Sequence, residues 1–393
     1  MTTYLNHLGL ITPIGNNAEQ VHHAVLNGQR GLTPSSAGLS SIASYVGAIQ
    51  DELPNIPDTY TQYSSRNNRL LLAAALQLES EIVATIEKYG AHRVAIILGT
   101  STSGISDTES AIKQLHINNK LPAEFNYHIQ EMADPARFLA DYFKITGPAY
   151  VISTACSSSA LALMSAKRLL QLNLADTVIC GGVDSLCQTT LHGFASLEAI
   201  SATPCNPFSA NRKGINIGEA AVLFIMSHEP STVALVGCAA SSDAHHISAP
   251  DPDGKGAIDA MKKALCSANI SPDKIDYINL HGTGTQLNDS MESHAIYQVF
   301  GNKIPACSST KALTGHTLGA AGALEAAVCY LLLKNGGNAP QINDGEFDPS
   351  LPALNWDHCN EQTQYQVAMS NSFAFGGNNV SLIFARQEHS HAL

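Results

Sequence analysis

Three residues in this chain combine reactive side chains with positions that would offer them to a substrate: Cys156, His281 and His316. Cys156 lies in Val151–Ala160, VISTACSSSA, where an apolar stretch behind the Gly147–Pro148 turn reads as the end of a buried strand. Beyond it Ala160, Leu163, Met164, Lys167 and Leu170 recur at helical spacing. The cysteine therefore sits where a strand hands over to the first turn of a helix. Free N–H groups and the positive dipole end favour a thiolate over a thiol there. Ser157, Ser158 and Ser159 keep the turn small and polar, so a substrate could approach closely. This pattern predicts a nucleophile.

A cysteine nucleophile needs a base or cation and a group to hold a developing oxyanion. His281 directly follows the apolar run Ile275–Leu280, in NLHGTGT, and His316 lies at a glycine-flanked turn in STKALTGHTLGAAGALEA. With Cys156 they occupy strand ends and the loops beyond, where open α/β sheets bind ligands. Any one of the sixteen histidines is more simply a core or loop residue. One context recurring at three reactive residues reverses that balance. Thr283 and Thr285 flank Gly284, and their hydroxyls could bind a polar extended substrate. Lys311 precedes His316 closely enough to be a charge partner, and Glu292, on the helix after the His281 loop, could hold it. Near the C-terminus NSFAFGGNN brings Phe373 and Phe375 beside two glycines, a turn able to offer N–H groups to an oxyanion or to gate an apolar pocket. Asp243, His245 and His246 resemble metal ligands, but no zinc-like set completes them and no metal is expected. Cys307 reads as a buried structural thiol.

The elements that must carry these residues alternate between two periods. Val94–Gly99 is an apolar run expected as a strand buried on both faces, Thr177–Gly182 is another fully apolar strand, and Ala220–Met226 is a further strand. Helical patterns cover Ala18–Asn27, Asn67–Tyr89, Asp107–His116, Asp134–Tyr142, Gly256–Ser267, Ser290–Phe300 and about Gly319 to Lys334. Thr232–Ala240 begins what looks like a second half, in which strands are expected at Ile275–Leu280, Val367–Asn371 and Asn379–Ala385 and a strand and turn at Lys303–Thr310, which makes the class α/β. The segments PAYVISTACSSSALALMSAKRLL and KIPACSSTKALTGHTLGAAGALEA echo each other as strand, small-residue turn and helix. They are either a duplicated fold or two instances of a common unit.

Composition narrows the partners. Apolar residues make up 45% of the chain and charged ones 14%, against roughly 25% in a typical domain. Much surface is thus expected to be lost to a subunit partner. The formal charge of −12, without blocks of like charge, argues against nucleic acid and a polybasic membrane anchor. The first residues lack a basic leader, and no apolar run is expected to approach the roughly 18 residues of a membrane span. Nine scattered cysteines without CxxC spacing favour reduced thiols in the cytoplasm over a disulfide framework.

Taken together, GLITPIGN, TACSSS, NLHGTGT, STKALTGHTLGAAG and NSFAFGG resemble, in order and spacing, the beta-ketoacyl-acyl carrier protein synthases of the thiolase superfamily. The resemblance spans nearly the whole chain. It implies a thiolase-like five-layered αβαβα fold with two similar halves, 1–229 bearing the nucleophile and 230–393 the catalytic histidines. It implies a decarboxylative Claisen condensation of an acyl thioester on Cys156 with a malonyl carrier thioester. His281 and His316 would promote decarboxylation, Lys311 would pair with Glu292, and Phe375 with Phe373 would form the gate and oxyanion hole. Thr283 and Thr285 would bind the phosphopantetheine arm. No cofactor is implied, because loss of CO2 supplies the carbanion. The partners implied are an acyl carrier protein and a second subunit, either a copy of this chain or a related ketosynthase-like chain. Carrier proteins are acidic, so Arg66, Arg69, Lys113 and Lys120 are the candidate docking cations.

The chain departs from the fatty-acid enzymes at AFGGNN, where Ala374 would stiffen the gate, and at NRKGINIGE, which replaces an acidic–basic–acidic lead-in. VDSLCQTTLHGFASLEAIS is more similar to synthases of bacterial aryl polyene clusters. A non-catalytic chain-length-controlling subunit is the alternative, and the intact Cys156, His281, His316 and Lys311 argue against it. A thiolase would need a second cysteine near the C-terminus, and NSFAFGG has none.

Overall fold

The computed structural model describes residues 1–36, 39–356 and 363–387. Ten strands carry the architecture. In the first half they are β1 (Tyr4–Ile11), β2 (Val94–Gly99), β3 (Ala149–Ile152), β4 (Thr177–Asp184) and β5 (Ala220–Ser227). In the second half they are β6 (Val233–Ser242), β7 (Tyr277–Asn279), β8 (Ala306–Ser308), β9 (Val367–Phe373) and β10 (Asn378–Arg386). Hydrogen bonding orders the first set β3-β2-β4-β5-β1 and the second β8-β7-β9-β10-β6, with Asn355–Trp356 added outside β8. Each set is parallel from its third strand to its fourth, and its fifth strand runs antiparallel to both neighbours. The same order and polarity occur twice, so the echo in the sequence is a duplication. The sets meet where Tyr4 and Leu5 of β1 pair with Ala234 and Val233 of β6.

Both faces of β2, β4 and β5 are buried because both are covered. On β2, Ala95 and Ile97 face the central cluster, while Val94, Ile96 and Leu98 face an outer one. The outer cluster is closed by α1 (Arg66–Leu76) and α2 (Asp134–Phe143). The central layer is α3 (Ser158–Gln171) with its counterpart, the helix Ala321–Asn335, each touching strands of both halves. A third cluster joins α4 (Lys255–Ala268) and α5 (Gln286–Phe300) to the far face of β7 and β9. Reading across gives α, β, α, β, α, as the resemblance implied. The central helix Ala321–Asn335 is α6 below.

Two expectations need correction. The pattern Asn67–Tyr89 forms two helices, Arg66–Leu76 and Glu79–Tyr89, because the Gln77 amide between them donates to Leu10 O and Asn16 O, both at 2.9 Å, and pins the break to the end of β1. An apolar stretch of span length does exist: Leu318–Asn335 has 18 residues and mean hydropathy 1.2. It is 89% buried within the protein, the environment of a core helix between two sheets.

Candidate active site

Cys156 stands four residues beyond β3, where the backbone must turn sharply into α3. Ala155 makes that turn with a left-handed φ of +52°, which costs a non-glycine residue on the order of 1 kcal/mol. Local hydrogen bonds hold it: Ser158 Oγ donates to Ala155 O and accepts from Thr154 N–H at 2.9 Å. The serines that read as a small polar turn are thus its braces. Gly99, ending β2, lets α3 come close, since a Cβ there would stand 2.3 Å from Ser159 N.

His316 lies in the equivalent connection of the second half, between β8 and α6. The two helices meet at their starts, where Ala323 N–H donates to Ser159 Oγ at 2.8 Å. That contact brings His316 Nε2 to 2.9 Å from Cys156 Sγ. Leu318 N–H donates to His316 Nδ1 at 3.2 Å, so the proton of the neutral ring belongs on Nε2 and points at the sulfur. The duplication has placed a nucleophile in one half against a donor in the other.

His281, two residues past β7, meets His316 edge to face with ring centres 5.4 Å apart. Its Nδ1 lies 3.4 Å from Lys311 Nζ, which also donates to His281 O. The ammonium on Nδ1 likewise leaves the ring proton on Nε2. Burial, with Lys311 acting in the same direction, holds both imidazoles well below the usual histidine range. They are neutral donors, not acids. Cys156, His281 and His316 have ligand atoms within 4.8 Å of one another, a spacing a metal could bridge. Protons on both Nε2 atoms and the Lys311 charge oppose a cation there. Asp243, which with His245 and His246 resembled a ligand, is engaged by Asn379 Nδ2 at 2.7 Å and Asp251 N–H at 3.1 Å.

The expected Lys311–Glu292 pair is not formed. Lys311 pairs with Glu325 on α6, both buried. Glu292 instead accepts from the N–H groups of His281 at 2.8 Å and Gly282 at 2.7 Å, fixing the loop that presents His281. A lysine emerging from the short helix Lys311–Thr314 faces the start of α6, so the nearer acid wins. Burial pushes Glu292 to about 8 and Glu325 to about 7, Lys311 opposing in each case. Burial also pushes the Cys156 thiol up to about 11, against Lys311 and the Phe375 N–H, which donates to the sulfur. Desolvation thus outweighs the helix-start effect that predicted a resting thiolate.

Cys156, His281 and His316 line one cavity of about 330 Å³, together with Thr283, Thr285, Phe373 and Phe375. Thr283 and Thr285 hydroxyls lie 3.0 Å apart on its wall, and Thr285 also caps α5. Phe373 packs near His281, and the half-buried Phe375 ring rests 5.4 Å from Phe194. Gly376 and Gly377 turn the chain behind Phe375 with φ of +84° and +75°, which a side chain would strain. Ala374 is buried and donates to Asn378 O at 2.8 Å. Cys307 is buried apart from the cavity, 3.1 Å from Pro305 O.

None of the four docking candidates lines the cavity. Arg66 is bound to the buried Glu219, and Arg69 donates to Pro54 O at 3.0 Å and Leu53 O at 2.7 Å. Both guanidinium groups staple the loop before α1, because a buried carboxylate and loop carbonyls need partners. Lys113 and Lys120 are exposed, on and just beyond the helix Ile105–Asn118. Sequence reasoning missed Glu325, Asp184, Phe194 and Lys213. Glu325 is the lone acid in the apolar run of α6, and Asp184 ends an otherwise apolar strand; each is a legible anomaly. Asp184 accepts from Ser101, Thr102 and Gly319 N–H groups and ties both halves together under the site.

Comparison with known proteins agrees with this geometry. Residues 8–231 match the family model for the beta-ketoacyl synthase N-terminal domain, and 233–344 that for its C-terminal domain. The chain is 31% identical to 3-oxoacyl-[acyl-carrier-protein] synthase 2 of Synechocystis, covering 97% of each. It is 31% identical to 3-oxoacyl-[acyl-carrier-protein] synthase 1 of Haemophilus influenzae, covering 98% of each. A solved chain from the complex of the ketosynthase ApeO with its chain length factor ApeC, from Xenorhabdus doucetiae, superposes with a TM-score of 0.94 at 44% identity over 98% of each chain.

Proposed function

The chain belongs to the beta-ketoacyl synthase family, whose reaction is decarboxylative condensation of carrier-borne thioesters, and we propose that Cys156, His281 and His316 perform it here. The observation that carries this reading is the pair of neutral imidazoles, each with its Nε2 proton facing the cavity that ends on Cys156 Sγ.

In the first half-reaction Cys156 sulfur attacks the acyl thioester carbon. The oxyanion takes hydrogen bonds from the Cys156 and Phe375 N–H groups, and the carrier thiol departs with the proton the cysteine gave up. A thioester on Cys156 resists water yet accepts a carbanion. In the second half-reaction the malonyl thioester carbonyl accepts from His281 and His316 Nε2–H. Stabilising that oxygen lowers the barrier to CO2 loss, and neutral donors do not protonate the enolate as imidazolium would. The enolate carbon attacks the acyl carbonyl, the C–S bond to Cys156 breaks, and 3-oxoacyl carrier leaves. Lys311, held by Glu325, keeps His281 in its donor tautomer; Glu292 holds the loop. Thr283 and Thr285 bind the amides of the arm. Phe375, with Phe373 behind it, gates the acyl group.

Substrates ride on the phosphopantetheine arm, and the reading calls for no separate cofactor or metal. We divide the labour at residue 229: 1–229 supply the nucleophile, 230–393 the histidines. We place the enzyme in the cytoplasm, beside an acyl carrier protein. Its second subunit is either a copy of itself or a related chain of the chain-length-factor kind, as in the ApeO–ApeC complex. The edge strand β3 favours such an assembly: it is incompletely buried while β2 beside it is wholly buried. The stretch VDSLCQTTLHGFASLEAIS, with its resemblance to synthases of aryl polyene clusters, favours an aryl polyene-type acyl chain. The non-catalytic reading is disfavoured by the intact site.

Intact mass spectrometry tests the assignment. A panel of acyl carriers is expected to leave one acyl adduct on the wild-type chain and none on Cys156→Ala; an adduct on Cys156→Ala would overturn it.

A further inference from the structure

Among the described residues, the lining of the cavity carries no cluster of basic side chains. Apart from the neutral histidines, its charged lining residues are Glu198 and Lys213, which cancel. Arg66 and Arg69 are committed inside the fold, and Lys113 and Lys120 lie off the lining. What the mouth presents is aliphatic surface. Leu197 and Leu287 line the cavity yet are 53% and 61% exposed. Ile247 is 82% exposed; it precedes Ser248 of the cavity wall, and its carbonyl accepts from Gly376 N–H at 2.9 Å, beside Phe375. Three large side chains held out to water around one opening mark a surface that a partner covers.

We propose that the acyl carrier docks on this apolar rim, Leu197, Ile247 and Leu287, burying aliphatic side chains of its own rather than salt-bridging to a basic face. The proposal rests on the function above. The occupant follows from the cavity: an arm whose thiol end reaches Cys156 passes through this mouth and draws its protein against the rim. Charge complementarity does not supply the attraction. The enzyme carries −12 and an acidic carrier shares its sign, so a neutral, apolar mouth is the surface on which the two can meet.

The test compares KM for an acyl carrier with KM for the same acyl group on pantetheine, the arm without its protein. Ile247→Glu is expected to raise the carrier KM about tenfold and to move the pantetheine KM less than about twofold. Lys113→Glu and Lys120→Glu are expected to move neither. The wild-type carrier KM is expected to change less than about threefold between about 0.05 and 0.5 M NaCl, a range that screens a charged interface strongly. A steep rise with salt, or weakened carrier binding in the lysine variants with Ile247→Glu silent, overturns the proposal. So does a change of assembly mass by light scattering in Ile247→Glu, which would assign the rim to a subunit interface. Failure of wild-type enzyme to accept acyl groups from either thioester would count instead against the condensation reading.

Discussion

At the level of single residues, burial sets the chemistry. Cys156 receives two N–H donors and faces Lys311, yet its thiol is pushed up to about 11. The thiolate fraction then grows about tenfold per pH unit anywhere below that value. Alkylation of Cys156 by iodoacetamide is accordingly expected to accelerate steadily from pH 7 to 9 with no plateau. His281 and His316, held well below the usual range, add no step between pH 6 and 8. A flat profile would mean a resting thiolate. The Lys311–Glu325 pair gives a second prediction. Lys311→Met or Glu325→Leu strands a buried charge and costs about 3–5 kcal/mol, whereas the double variant costs less than either, read by urea unfolding. Equal or additive losses would deny the pairing. The three reactive residues were legible because each combined a chemical group with a strand-end context. The partner of Lys311 was not: Glu292 and Glu325 both follow helical patterns, and only the direction in which Lys311 emerges chooses between them.

Among the elements, the site depends on two helix starts meeting more closely than side chains usually permit. At Gly322 a Cβ would come within 2.7 Å of Ala160 Cβ and 2.8 Å of Ala160 N. Gly322→Val is expected to push α6 from α3, cost roughly 3 kcal/mol, and separate His316 from Cys156. Thermal denaturation would show the loss, and faster alkylation of Cys156 would show the opening. An unshifted midpoint would mean the junction yields easily. Strands such as Val94–Gly99 were legible because burial on both faces leaves an unbroken apolar run. The helix Gln188–Ser196, which carries Phe194 to the gate, was not, since Leu191 is its buried residue and one buried position makes no periodicity. The break at Gln77 was invisible for a related reason: its cause is a contact with β1, distant in sequence.

For the whole molecule, duplication explains why a site exists at all. Two copies of one strand order put two strand-to-helix turns face to face across the central layer, and each contributes what the other lacks. The low charge that suggested a subunit interface finds its counterpart in the half-covered strand β3. The echo between the halves was visible in the chain; whether it meant common descent of fold needed the matching pairings of all ten strands. Of the four basic residues proposed for docking, Arg66 is engaged by the buried Glu219; charge in a sequence does not say whether a buried carboxylate has claimed it.

The central claim is that one cavity holds an acyl group on Cys156 and forms a carbon–carbon bond to it after decarboxylation. The most direct measurement adds malonyl carrier, labelled with 13C in its free carboxylate, to enzyme acylated beforehand. Predicted is one labelled CO2 for each 3-oxoacyl carrier formed, with the adduct on Cys156 lost in step. Labelled CO2 released while the adduct stays in place, or an adduct returned unchanged as acyl carrier or free acid, would contradict it.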